Sequence, residues 1–195
     1  MTDLTWPHTV GPGSNGILVV GVSLRKLNMS VSSITYAGQG GFVFVGTQIG
    51  SGADHRVEIW YLLSPPVGTA NVSVALSGGP PVEAVAGALS YTGVDQTQPV
   101  GTAAGAFATD TAPTVTVSSA AGEVVIDVLS ASGDSGAVAV VAGQAQQWTG
   151  STGVGDANEF GAASTEPGAA TVTMDWSLTN PNKWAIIAVP LRPAP

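Results

Sequence analysis

Glycine and proline interrupt this chain too often for it to build helices. The 26 Gly and 13 Pro are spread through all 195 residues, so few windows long enough for a stable helix escape both. What recurs instead is alternation. Val57-Glu58-Ile59-Trp60-Tyr61-Leu62, Asn71-Val72-Ser73-Val74-Ala75-Leu76, Thr114-Val115-Thr116-Val117 and Thr171-Val172-Thr173-Met174 alternate between apolar and small polar or charged residues. That is the period of a strand with one dry and one wet face. Ile17-Leu18-Val19-Val20 and Val124-Val125-Ile126 are continuously apolar, which predicts strands covered on both faces. Short Gly/Pro/Ser clusters between these runs suit an antiparallel, all-β sandwich.

The landmarks come in two sets, offset by about a hundred positions. An alternating strand leads to a Gly-initiated aliphatic one, Gly16-Ile17-Leu18-Val19-Val20 in the first set and Gly122-Glu123-Val124-Val125-Ile126 in the second. The identical tripeptides Ala37-Gly38-Gln39 and Ala142-Gly143-Gln144 follow, then acid-bearing Gly-rich loops around Asp54 and Asp156. Each set closes on an aliphatic strand, at 84–89 and 185–191. The pattern predicts an internal duplication with halves at about 5–91 and 112–192 and a connecting stretch at 93–111. Two architectures satisfy it: one jelly-roll-like sandwich in which the halves interleave as a single domain over 1–195, or two tandem immunoglobulin-like sandwiches. The second half is poor in large apolar residues between 142 and 165 and would be short of core alone, which favours the single sandwich.

Charge narrows the partners. Only 9% of the residues are charged and the net charge is −8, against about 25% charged in an average soluble domain. Phosphate neutralisation needs clustered cations, and Arg25-Lys26 is the one adjacent basic pair. Nucleic acid and anionic membrane are therefore excluded as expected partners. The apolar runs at 17–22 and 185–189 fall far short of the roughly 20 residues of a membrane span. The opening Met1-Thr2-Asp3-Leu4-Thr5-Trp6 has neither the basic nor the apolar region of a secretion signal, so synthesis in a cytoplasm is expected. A surface of Thr, Ser, Gln, Asn, Gly and Ala loses little side-chain entropy when covered; it fits contact with other protein subunits, and equally a lineage whose proteins carry little charge.

Reactive chemistry is scarce. The chain has no cysteine, and its two histidines, His8 and His55, stand at no metal-ligand spacing; both read as structural or surface residues. Gly133-Asp134-Ser135-Gly136 resembles the nucleophile segment of trypsin-like proteases, but no His stands in a matching context and Ala137 replaces the last Gly, so it reads as a turn. Asp127, Asp175, Glu58 and Glu83 form no evident acid/base pair. An enzyme is not expected, nor a cofactor. Asp54, Asp134 and Asp156, in Gly-rich turns like Asp95 and Asp110, are weak candidates for a Ca²⁺ ligand set. Trp60 and Tyr61 are neighbours on one strand, so only one of them is expected in the core. Trp6, Trp148, Trp176 and Trp184 each suit the core or a protein interface, and are the candidates for contact with a partner or a stacked sugar.

Several segments together resemble a recurrent, largely uncharacterised β-sandwich domain of phage structural proteins and bacterial surface proteins. They are Trp6-Pro7-His8-Thr9-Val10, Gly13-Ser14-Asn15-Gly16-Ile17-Leu18-Val19-Val20-Gly21-Val22-Ser23, Ile34-Thr35-Tyr36-Ala37-Gly38-Gln39, Glu58-Ile59-Trp60-Tyr61-Leu62-Leu63-Ser64-Pro65-Pro66, Tyr91-Thr92-Gly93-Val94-Asp95-Gln96, Ser164-Thr165-Glu166-Pro167-Gly168 and Trp184-Ala185-Ile186. The resemblance spans nearly the whole chain and carries fold, with no catalytic residue to transfer. For a short chain opening on Met it implies a virion component, such as a capsid decoration (cement) protein or a head or tail accessory. Such a protein is expected to be a homo-oligomer, a trimer by preference, bound to capsid or tail subunits. The alternative is a carbohydrate-binding module of a phage fibre or of a longer secreted protein on a bacterial surface.

Overall fold

The computed structural model describes residues 3–25, 28–78 and 83–195; Met1, Thr2 and Lys26, which the sequence reading used, lie outside them. The first half contributes β1 (Leu4–Val10), β2 (Ile17–Arg25), β3 (Ser30–Tyr36), β4 (Val43–Ile49), β5 (His55–Leu63), β6 (Gly68–Ser77) and β7 (Ala84–Tyr91). After the connecting stretch come β8 (Ala104–Asp110), β9 (Thr114–Ser118), β10 (Val124–Ser132), β11 (Val138–Val140), β12 (Ala145–Ser151), β13 (Glu159–Pro167), β14 (Thr171–Leu178) and β15 (Asn182–Leu191). The fold is all-β and every strand pairing is antiparallel. Among the described residues no helix is long and apolar enough to cross a membrane.

Strand pairing stays within each half. The first half forms sheets β1-β6-β3 and β4-β5-β2-β7; the second forms β9-β14-β11 and β12-β13-β10-β15-β8. Taken in chain order, β1 to β7 occupy the same places as β9 to β15. The duplication is therefore carried by topology, and among the described residues β8 is the one strand without a counterpart. The halves stack rather than interleave. The physical reason lies in the aliphatic runs: β2 and β10 are buried along both faces, so the two larger sheets can lie against each other as the middle layers of a four-layer stack.

Three cores result. Val20, Val22, Leu24, Tyr36, Val72 and Val74 fill the first sandwich. Leu129, Met174, Trp176, Trp184 and Ile186 fill the second. Between the halves lie Val19, Val57, Ile59, Ile126, Val128 and Ile187, each worth about 1.5–3 kcal/mol on full burial. This shared middle core supplies what the stretch 142–165 lacks. It also explains why Trp60 and Tyr61 are both packed, Trp60 on the first core and Tyr61 on the middle one. The expectation that only one could be core assumed a sheet with a wet face, and this sheet has none.

The middle sheets stack in opposite order. β7 lies on β12 and β13, β2 on β10 and β13, β5 on β10 and β15, and β4 on β15 and β8. Equivalent positions consequently meet across an approximate two-fold axis, and there the halves differ by exchange of large for small. The Trp148 ring lies flat on Gly87, where an added Cβ would come within 2.3 Å of it. At the related contact the sizes are reversed, with Ile187 of β15 3.1 Å from where a Cβ on Gly46 would stand.

Candidate functional site

The densest polar cluster lies at one end of the middle core, where strand register brings two pairs together. Arg25 ends β2 opposite His55, which opens β5; Ser132 ends β10 opposite Glu159, which opens β13. All four are buried, at 7%, 0%, 0% and 0% exposure respectively. His55 Nδ1 lies 3.1 Å from Glu159 Oε2, and its Nε2 lies 3.2 Å from Ser132 Oγ and 3.3 Å from Arg25 Nη1. A guanidinium can only donate, so hydrogen-bond logic assigns Nε2 as the acceptor and leaves the proton on Nδ1 for the carboxylate. Ser130 Oγ donates to the other Glu159 oxygen. Burial pushes the Glu159 carboxyl above its ordinary range, against the opposing pull of the His55 hydrogen bond. At the rim, Asp156 accepts from Arg25 Nη2 and from Ser132 Oγ at 3.3 Å each.

Ser132, His55 and Glu159 thus stand in the order of an acyl-transfer triad. The geometry denies them that chemistry. Ser132 has no exposed surface, and Arg25 Nη1 donates to its Oγ at 2.8 Å, on the oxygen a nucleophile would need free. An attacking group must reach a substrate atom about 3 Å away, and here that space is packed β-sheet. What the cluster can do is hold the two halves in one orientation. Sequence reading placed His55 as structural or surface, and the structure makes it structural; the role of Arg25, Ser132 and Glu159 was missed. The available signal was that all four sit at matching ends of duplicated strands.

A second buried carboxylate works inside the second sandwich. Asp127 Oδ1 accepts from Ser164 N (2.6 Å) and Oγ (2.9 Å), and its Oδ2 accepts from Trp176 Nε1 at 2.7 Å, linking the two sheets of that half. Burial pushes this carboxyl up to about 7 despite those donors. Glu58, by contrast, is buried beside the first core, accepting from Arg56 Nε (2.7 Å) and Trp60 Nε1 (3.0 Å). Asp127 and Glu58, two of the carboxylates weighed for acid/base work, are thus engaged in separate networks.

The other sequence candidates are dispersed. Asp54 pairs with Lys183 Nζ, whose hydrogen bond holds its carboxyl below the usual range. Asp134 accepts from Asn182 Nδ2, and Asp156 faces Arg25. Among the described residues no three His, Cys, Asp or Glu side chains converge as a metal would require. The Asp134-Ser135 segment is a turn, with Ser135 Oγ donating to Ser132 O at 2.7 Å. His8 is half-buried on β1, its Nε2 3.2 Å from Ser90 Oγ, and burial lowers its pKa. Trp176 and Trp184 are buried at 1% and 3% exposure, which removes them from any sugar or partner face. Trp148 is half-buried, packed against Gly21 and Gly87, and Trp6 is half-buried on β1 against the first core.

Compared with protein-family models, curated proteins and solved structures, the chain matches none of them.

Proposed function

We propose that this protein is a non-enzymatic structural component of a virion, a capsid decoration or head or tail accessory protein that binds neighbouring subunits and itself. The observation that carries this reading is where the polar chemistry sits. The reactive-looking residues Arg25, His55, Ser132, Glu159 and Asp127 are spent on joining layers, and the outer sheets present hydroxyls. Thr9 and Thr69 (2.7 Å), Ser30 and Ser77 (2.9 Å), and Thr116 and Thr173 (3.0 Å) form cross-strand rungs on those faces. A stiff four-layer body with a weakly charged, hydroxyl-rich exterior suits a part that is covered by neighbours. The resemblance noted in the sequence supports the virion context. The carbohydrate-binding alternative draws no support from the tryptophans, since none lines an open groove with another. The test is co-sedimentation of the purified protein with capsids or tails of the phage that encodes it. Saturable binding at a fixed copy number per particle is expected; no binding to any particle component, with a monomer in solution, would remove the reading.

A further inference from the structure

The duplicated halves differ at one place in their topology. In the second half β8 adds to the edge of β15, and its Ala104, Ala106 and Ala108 plug the side of the sandwich. In the first half the matching edge, that of β7, pairs among the described residues with β2 alone. The consequences can be read strand by strand. β15 is buried from Trp184 to Leu191, whereas its counterpart β7 is only half-buried at six of eight positions. The inward residues of β9, Val115 and Val117, are buried at 4% and 3%, whereas on β1 Val10 is buried but Leu4, Trp6 and His8 stay half-exposed. A cleft of about 370 Å³ bounded by Val10, Pro12, Ser90, Tyr91 and Thr92 opens at the end of the same slit.

We propose that the free edge of β7 is an acceptor site for an extended segment of another polypeptide, which pairs antiparallel with β7 and turns alternate small residues toward Trp6. The chemistry of the occupant is given by the strand that fills the duplicate slit. β8, Ala-Gly-Ala-Phe-Ala-Thr-Asp, has Ala at each inward place and a single charge at its end. The wall that β7 offers is itself built of small residues, its inward Ala86 and Ala88 packing on the first core. Main-chain hydrogen bonds supply affinity in such strand addition, and alternate side chains supply selectivity. β7 itself has none of the charged or proline residues that guard a permanently free edge, reading Ala-Val-Ala-Gly-Ala-Leu-Ser-Tyr. The inference deepens the assembly reading above by naming the surface through which a neighbouring chain is held.

The probe is a synthetic peptide with the sequence of residues 101–110, titrated into the full-length protein and followed by amide shifts and by anisotropy of a labelled copy. Saturable binding is expected, with shifts concentrated on β1 and β7. The same peptide carrying Ala106→Pro, which removes a ladder donor, is expected to bind at least about tenfold more weakly. A second variant adds a copy of residues 104–110 directly before Met1, giving the three-residue spacing to β1 that β8 has to β9. It is expected to raise the thermal midpoint and to weaken peptide binding by about a hundredfold, as a tethered competitor at millimolar effective concentration does. Absence of binding, equal binding of the proline peptide, or shifts centred on another edge would overturn the proposal. Peptide binding without particle binding would sink only the virion reading; particle binding unaffected by the added strand would sink only this one.

Discussion

Gly87→Ala tests whether the large-for-small exchange between the halves is what fits them together. A Cβ at position 87 would stand 2.3, 2.4 and 2.5 Å from three ring atoms of Trp148, too close for any of them to stay. The ring must tilt, and it is held by the middle core on its other side, so overpacking of about 1–3 kcal/mol is expected. Against that, Gly→Ala restricts the unfolded chain and returns about 0.4–1 kcal/mol, because the backbone at 87 lies in an ordinary strand conformation. The net effect is a loss of about 1–2 kcal/mol, or a midpoint lower by about 2–8 °C in a chain this long. Removing the ring changes the sign. Trp148→Ala alone costs about 2–3 kcal/mol for a half-buried indole, but in its presence Gly87→Ala should stabilise by the unfolded-state contribution alone. The cycle is measured by urea unfolding followed by far-ultraviolet circular dichroism, a signal that the lost tryptophan does not distort. A coupling of about 1–3 kcal/mol is expected. Equal effects of Gly87→Ala in both backgrounds would show that the ring and the glycine do not meet as described.

Two further outcomes follow from the buried carboxylates. Arg25→Met removes the guanidinium that donates to Ser132 and Asp156 and whose nearby charge favours the Glu159 carboxylate, and should cost about 3–5 kcal/mol at pH 8. Because the folded carboxyl of Glu159 titrates above its unfolded value, protonation relieves the folded state first, and the cost should shrink as pH falls toward about 5; a loss independent of pH in urea titrations would contradict the network. Asp127 titrates near 7 when folded, against an unfolded value near 4. The folded state therefore holds the proton longer, and stability relative to Asp127→Asn should rise as pH drops from about 7 to about 4, by up to about 4 kcal/mol at 1.4 kcal/mol per unit. A flat difference between the two proteins over that range would place Asp127 in a wetter site.

The strands were legible because their signal is local. Thr114-Val115-Thr116-Val117 has to be a strand with one wet face, and the structure gives it the alternation exposed, buried, exposed, buried. The continuous run at 17–22 predicted burial on both faces, and β2 has it. Duplication was legible in the order of landmarks. What covers the second face of β2 was not, since an aliphatic run is the same whether its neighbour is a strand of its own half or a sheet of the other. The junction was illegible for a related reason: Arg25, His55, Ser132 and Glu159 are far apart in the chain, and each looks unremarkable beside its neighbours. Trp176 and Trp184 misled because a tryptophan suits an interface and a core equally well; only the partners of their ring nitrogens, Asp127 and Asp110, separate the two.

Why polar groups stand in the middle core at all can be argued from the duplication itself. Two similar sheets with aliphatic faces can pack in several registers and, between copies of the chain, in wrong combinations. The junction discriminates among these. A first-half sheet laid on another first-half sheet would bring Arg25 and His55 against their own kind with no carboxylate to receive them, and burying the guanidinium charge unpaired costs several kcal/mol. A second-half sheet on its own kind would leave Glu159 without a cation. Only first on second satisfies all four groups, and the same combination seats Trp148 on Gly87. Replacing Arg25, His55, Ser132 and Glu159 together by Met, Leu, Ala and Met should then leave stability unchanged or raised, as for other buried ion clusters exchanged for apolar groups. It should also release the specificity: β2 and β10 amides are expected to show doubled resonances, or the protein to form dimers through its middle sheets. A quadruple variant with one sharp set of resonances and no new association would show that shape complementarity alone orients the halves.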